Sequence, residues 1–392
     1  VSTDRDHRNR CAIAGVGATD FSKASGRSVL TLATQAALTA ITDSGLTAGD
    51  IDGIVRCEHD EVRPNDLADS LGARDVTYWA SVGTGGAAPC GMVGSAIGAI
   101  LSGQASSVLL YRSLNGRSGR RFGRSSVAAD AGGNGSYDEF FAPYGLAVPG
   151  QMFALIARRH MIEFGTTAEQ LGHIALTCRE RANANPAAQM YGRPLTLDDY
   201  LDARIISAPL RLYDFCLETD GACAVVVTSA ERAIDLPQIP AYICAVAQGM
   251  SESPQLGLVM PALLRDSVTT QPSAHVASKL YQRAGMGPED IDVAQFYDCF
   301  TITLLLQLED YGFCKKGEGG PFAASGALGL GGTIPINTSG GHLSEGYIHG
   351  MNHIVEGVRQ LRGTSTSQVS GAETCLVTSG IPVATSAIIL TK

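Results

Sequence analysis

The sequence predicts an α/β fold made of two duplicated halves, on three observations. Short apolar runs alternate with Ala- and Leu-rich runs at helical spacing, the pattern of strands and helices in one sheet system. The segment Asp43–Asp52 (DSGLTAGDID) recurs as Arg283–Asp292 (RAGMGPEDID), pairing Gly45 with Gly285, Asp50 with Asp290, Ile51 with Ile291 and Asp52 with Asp292 at one constant offset. A looser match pairs a helix ending at Gly103 with one ending at Gly363, each before an apolar run. Together the two matches imply a repeated α/β unit.

Taken in order, Cys11–Val16 is short and apolar and reads as a strand closing at Gly15-x-Gly17. Leu30–Ser44 has helical spacing and stops at Gly45, the residue type that closes helices in the left-handed region. Ile51–Val55 reads as the next strand, Gly91–Leu101 as a helix and Ser107–Tyr111 as a strand. From Arg112 to about Leu210 the repeated order lapses. A Gly/Ser/Arg loop over 112–125, a helical stretch near Met152–Phe164 and further helices read as a loop domain inserted in the first half. Asp220–Ala224 leads into a Val-rich strand, and the LPQIP run that follows breaks any helix, so the chain is divided as 1–235 and 236–392. In the second half Ile291–Phe296 and Cys375–Thr378 are strands, separated by a helix from about Gly350 to Gly363.

Composition narrows the class. At about 150 residues per domain, 392 residues give two or three domains. With 45% apolar and 17% charged residues the chain has a large core, which excludes wholesale disorder. A net charge of −9 with no basic stripe argues against a nucleic-acid partner. No apolar signal core opens the sequence and no run is long enough to span a membrane. Ten scattered cysteines without a C-x-x-C pair fit reduced thiols, and a cytoplasmic setting is the expectation.

Two segments carry candidate chemistry. Tyr297-Asp298-Cys299-Phe300 follows a strand, at the carboxyl end where ligands of open α/β sheets sit; the same residues fit a core Tyr beside a hydrogen-bonded Asp. Asn337–Gly350 (NTSGGHLSEGYIHG) combines paired glycines, which let backbone approach a ligand, with a helix start; it also fits a Gly-rich turn and cap. His349 and His353 are spaced to share a helix face, but no third ligand accompanies them and no metal is expected. Arg117, Arg120, Arg121 and Arg124 suit phosphate recognition or a solvated loop. None of the five lysines falls in either motif, which disfavours imine chemistry.

At these residues the chain resembles the thiolase superfamily, in its lipid-transfer-protein branch near the sterol carrier protein x thiolases. The resemblance rests on the duplicated halves, the inserted loop domain, Asp220–Ala224, the YDCF segment and N-T-S-G-G followed by a G-x-x-G turn. It implies a thiolase-like fold of five layers, αβαβα, and a homodimer paired through the sheet edge of the first half. The family's reactive residues are replaced. The nucleophilic cysteine maps to Gly86, the histidine of H-D-C-F to Tyr297, and that of G-H-P-x-G to Tyr347. No late catalytic cysteine carries over, because Leu376 or Val377 fits that register better than Cys375.

This replacement pattern resembles the bacterial steroid side-chain aldolases. It implies retro-aldol cleavage of a β-hydroxyacyl-CoA, a 17-hydroxy-3-oxo-pregnene-20-carboxyl-CoA, to a 17-ketosteroid and propionyl-CoA. It also implies a partner with an oligosaccharide-binding fold and a zinc ribbon, giving a heterotetramer. No cofactor is expected beyond the CoA of the substrate, because the thioester accepts the electrons itself. Tyr347 is expected to take the hydroxyl proton and Tyr297 to return one to the enolate, or the reverse, with amides near Gly346–Gly350 favouring phenolate. Asp298, His342 and Ser344 are expected to orient them. Gly86, Gly340, Gly341, Gly346 and the four arginines are expected at the substrate or CoA. Two rivals stand beside this reading: acyl transfer through Cys90, and a non-catalytic acyl-CoA or lipid-binding module.

Overall fold

A computed structural model of the chain describes residues 7–83, 85–119, 121, 138–251, 260–380 and 382–392. Among the described residues the main sheet has nine strands: β1 (Cys11–Ala18), β2 (Gly53–Cys57), β3 (Tyr78–Val82), β4 (Ser107–Asn115), β7 (Asp220–Ser229), β8 (Ala241–Met250), β9 (Val293–Gln295), β10 (Thr374–Gly380) and β11 (Ala384–Thr391). The short strands β5 (Ile205–Ser207) and β6 (Leu210–Arg211) form a separate hairpin.

The order β3-β2-β4-β7-β1-β8-β11-β10-β9 contains the duplication. In the first half β2 runs parallel to β3 and β4, and β7 is antiparallel to β4 and β1. In the second, β9 is parallel to β10, and β11 is antiparallel to β10 and β8. Ile336 bridges Ala294 in parallel, at the place β3 holds in the first half. The halves join at β1 and β8 through the pairs Ala12–Tyr242 and Ile13–Ala241.

The repeated motif takes the same local structure in both halves. Gly45 and Gly285 close their helices at φ 76° and 67°, and single turns at Ala48–Asp50 and Pro288–Asp290 follow before β2 and β9. That turn explains why β2 begins at Gly53 and not at Ile51, whose N–H is still bonded to Ala48 O.

Burial sorts the principal helices into layers. We number them α1 (Val29–Ser44), α2 (Ala88–Leu101), α3 (Pro149–Phe164), α4 (Ala168–Ala184), α5 (Pro272–Ala284), α6 (Thr301–Asp310), α7 (Gly341–Ser344) and α8 (Met351–Arg362). The middle layer is α2 and α8, each touching strands of both halves. Outer layers are α1 against β1, β4 and β7, and α5 against β8 and β11. Strand β7 is buried on both faces: Val225 and Val227 point to the middle layer, Ala224 and Val226 to α1. The chain between β4 and β7 contributes α3 and α4, which pack against α6 and form one wall of the site below. Among the described residues no helix is long and apolar enough to cross a membrane.

Candidate active site

Two loops at the sheet's edge bring the tyrosines together. After β9, Phe296 is clamped by Asn337, whose Oδ1 accepts its N–H (2.7 Å) and whose Nδ2 donates to its carbonyl (3.0 Å). Tyr297 is then held at both backbone ends: its N–H donates to Thr378 Oγ1 (2.9 Å), and its carbonyl accepts from Gln307 Nε2 (2.7 Å). Tyr347 lies between α7 and α8 and donates its N–H to Thr219 Oγ1 (2.9 Å). The two phenolic oxygens are 2.8 Å apart.

Gly86 makes this pairing possible. It sits in the turn Gly85–Ala87 ahead of α2, and a Cβ placed on it would lie 1.9 Å from Tyr297 Oη and 2.4 Å from Cζ. The phenol occupies the volume a nucleophilic side chain at position 86 would need.

Asp298 lies behind the pair, fully buried. One carboxylate oxygen accepts the His342 N–H (2.8 Å) and faces His353 Nε2 (3.1 Å); the other accepts the Leu343 N–H (3.2 Å). Burial raises its pKa, but His342, His353 and these donors outweigh that and hold the carboxyl below its ordinary range. Burial and then His353 hold His342 well below the ordinary imidazole value. Its ring packs edge-on against both phenols, with centroids 4.8 Å and 4.9 Å away. Asp298 and His342 therefore buttress the tyrosines from behind.

The glycines of this segment serve that packing and do not line the cavity. A Cβ on Gly341 would lie 2.3 Å from Asp298 Oδ2, one on Gly340 would meet Ala182, and one on Gly346 would meet Phe21. Ser344 is also off the cavity, its Oγ accepting from Arg179 Nε (3.0 Å). His349 and His353 do not share a helix face: α8 starts at Met351, and His349 precedes it at φ 52°. Among the described residues the one cluster with metal-ligand potential is Asp298, His342 and His353, with ligand atoms within 4.8 Å of one another. There the carboxylate is already taken up by backbone N–H groups.

The phenol pair faces a cavity of about 1030 Å³, at the upper end of the ~300–1,000 Å³ usual for small-ligand sites. Met152 and Phe153 of α3 supply an apolar wall, and Cys216 and Cys299 lie beside the tyrosines. Arg117 and Arg121 line its solvent-facing part, both drawn to Glu218, at 3.5 Å and 2.8 Å from their Nε atoms. Arg120 and Arg124 lie outside the described residues.

Both phenols have pKa values well above the ordinary value of 10. Burial is the main cause in each; for Tyr297 the charge of Tyr347 adds to it, and for Tyr347 those of Cys216 and Cys299. Arg112 acts in the opposite sense on Tyr347, without overturning the effect of burial. The described partner of the Tyr347 hydroxyl is the second phenol, at 2.8 Å, and not the amides of Gly346–Gly350.

Sequence reasoning missed one group on the cavity wall. Arg112, 2% exposed, donates from Nε to His349 Nδ1 (3.0 Å) and from Nη1 to Asp60 Oδ2 (3.1 Å). The signal was a lone arginine inside the apolar run Val108–Leu114, a charge that needs a buried partner. Cys90, in contrast, is absent from the cavity. Its thiol is fully buried against Val377 O and Ser379 Oγ, and burial pushes its pKa up to about 12. Its place off the cavity and its raised pKa both count against the acyl-transfer rival, since the reactive species would be the thiolate.

Comparison with known proteins gives a consistent result. Residues 262–392 match the family model "Thiolase C-terminal domain-like". A "17-hydroxy-3-oxo-4-pregnene-20-carboxyl-CoA lyase" of Mycobacterium tuberculosis is 45% identical over 97% of this chain and 99% of its own length. A "steroid side-chain-cleaving aldolase" of Thermomonospora curvata is 44% identical, with 97% of each chain covered. Among solved structures, an "Ltp2-ChsH2(DUF35) aldolase" superposes with a TM-score of 0.92 at 43% identity, covering 98% of both chains.

Proposed function

This chain belongs to the thiolase superfamily, in the branch of the steroid side-chain-cleaving aldolases, and on that premise we propose that it cleaves a β-hydroxyacyl-CoA by a retro-aldol reaction. The substrate is a 17-hydroxy-3-oxo-pregnene-20-carboxyl-CoA, and the products are a 17-ketosteroid and propionyl-CoA.

The observation that carries the reading is the 2.8 Å contact between the buried phenol of Tyr297 and the half-buried phenol of Tyr347, at the place Gly86 leaves open. The β-hydroxyl proton passes to Tyr347 as its oxygen becomes the ketone. The bond between the β- and α-carbons breaks, and its electron pair moves toward the thioester oxygen. In the same step Tyr347 hands its own proton across the shared hydrogen bond to Tyr297 and Tyr297 gives its proton to the α-carbon, so enolate charge develops only in the transition state and neither phenol is left with an extra proton or without one. No free phenolate is required, which suits two phenols whose burial opposes ionisation. Each proton-transfer group contributes about 10²–10⁴-fold.

The cavity volume suits a fused-ring substrate. Arg117 and Arg121 meet the CoA phosphates by exchanging Glu218 for them. No cofactor enters beyond the substrate's CoA. Two copies pair through β3, whose Trp79 is 68% exposed at the sheet edge. A partner with an oligosaccharide-binding fold and a zinc ribbon completes a heterotetramer, and a cytoplasmic setting fits ten free thiols.

The test is incubation with a panel of β-hydroxyacyl-CoA thioesters, with and without the partner. Equimolar ketone and short acyl-CoA are expected. Tight acyl-CoA binding with no product from any thioester contradicts the proposal.

A further inference from the structure

We propose that His349 is a catalytic residue of this site: held by Arg112 as the neutral Nε2–H tautomer, it donates a hydrogen bond to the thioester oxygen as the enolate forms. The inference rests on the retro-aldol reading above.

The tautomer follows from the donor set. A guanidinium has N–H donors and no acceptor, so the 3.0 Å contact from Arg112 Nε requires a lone pair on His349 Nδ1. The imidazole proton is then on Nε2. Arg112 cannot swing away, because Asp60 binds its Nη1 while accepting from Ser113 N (2.6 Å), Ser113 Oγ (2.9 Å) and Val62 N (2.9 Å). Burial, and then Arg112, keep the imidazole from protonating near neutral pH.

Two further observations concern placement. His349 lines the same cavity as both phenols, with its ring perpendicular to that of Tyr347 at 5.0 Å. It also holds φ 52° directly before Gly350, in the left-handed region that Asn, Asp and His enter more readily than other side chains. A preorganised donor at a developing oxyanion is the role such a fixed, neutral imidazole fills.

The experiment compares the full-length parent with His349→Gly, which relieves the backbone and deletes the donor, and His349→Asn, which tolerates the backbone and keeps an N–H donor. Two rates are measured: cleavage of the β-hydroxyacyl-CoA, and exchange of the α-protons of propionyl-CoA in D2O, which requires the enolate but no C–C scission. His349→Gly leaves the buried Arg112 Nε without its acceptor, so it is expected to melt lower than the parent while staying folded, and to lose about 10²–10³-fold in both rates, the usual effect of deleting one oxyanion donor. His349→Asn should recover a large part of both.

The inference falls if His349→Gly cleaves at the parental rate, if Asn is no better than Gly, or if exchange survives while cleavage is lost. A parent that neither cleaves nor exchanges overturns the retro-aldol reading itself. Arg112→Met tests the positioning role: kcat should fall with KM little changed, and Arg112→Lys, which restores a donor, should recover part of it. Equal loss in Met and Lys would leave Arg112 a structural residue only.

Discussion

Replacing Tyr347 with Phe removes one oxygen from the centre of the site, and the structure sets how large the effect should be. That oxygen has one described partner, Tyr297 Oη at 2.8 Å, so the deletion leaves a buried hydroxyl unpaired. The stability cost of such a loss is about 1–3 kcal/mol. Turnover should fall further, by about 10²–10⁴-fold, or ~2.7–5.4 kcal/mol at 1.36 kcal/mol per decade. Tyr297→Phe breaks the same relay from the other side and should cost the same decades. The double variant should then be no slower than the slower single, because groups that act as one unit are not additive. Independent acid and base would instead multiply, giving about 10⁴–10⁸-fold in the double. Initial rates of ketone and acyl-CoA formation, read by chromatography on folded variants, separate the two. A multiplicative double, or either single within about tenfold of the parent, would refute the relay.

Four other perturbations follow from the same geometry. Gly86→Ala puts a methyl 1.9 Å from Tyr297 Oη; it should destabilise by about 1–3 kcal/mol and abolish most turnover, and parental melting and rates would show that the glycine is incidental. Cys90→Ala should leave turnover unchanged at a stability cost of about 1 kcal/mol; loss of activity without loss of fold would return Cys90 to the mechanism. Arg121→Ala should raise KM for the CoA thioester with kcat unchanged, and an unaltered KM would remove Arg121 from the CoA site. His342 and His349 have folded pKa values well below the ordinary 6.5, so the unfolded chain binds more protons just below that pH and stability rises with pH there. Thermal melts should be flat above pH 6.5 and fall progressively below it, and a flat profile through that region would contradict neutral burial of these rings.

Much of this was legible in the sequence because it is local. The paired glycines 45 and 285 announce the same helix stop twice, and the strand order repeats accordingly. Tyr297 and Tyr347 stand out as candidates because the resemblance sets them where the family carries histidines, each in a short motif flanked by glycine or by a strand end. What was hidden depends on contacts distant in sequence. Arg112 and His349 are 237 residues apart and meet across the two halves. The roles of Gly340 and Gly341 were misjudged for a related reason: a Gly pair allows close approach, but only the fold shows that Asp298 and Ala182 are what approaches. His349 and His353 have helical spacing, yet the left-handed residue at 349 puts the first of them outside the helix.

The central claim is that a pair of phenols cleaves the carbon–carbon bond with no sulfur-linked intermediate. Intact-protein mass spectrometry on enzyme quenched during steady turnover tests it directly. The unmodified mass of the chain is the predicted result at every time point, alongside accumulating ketone. An acyl-sized mass increase that forms and decays at the rate of turnover, mapped to any cysteine, would contradict it.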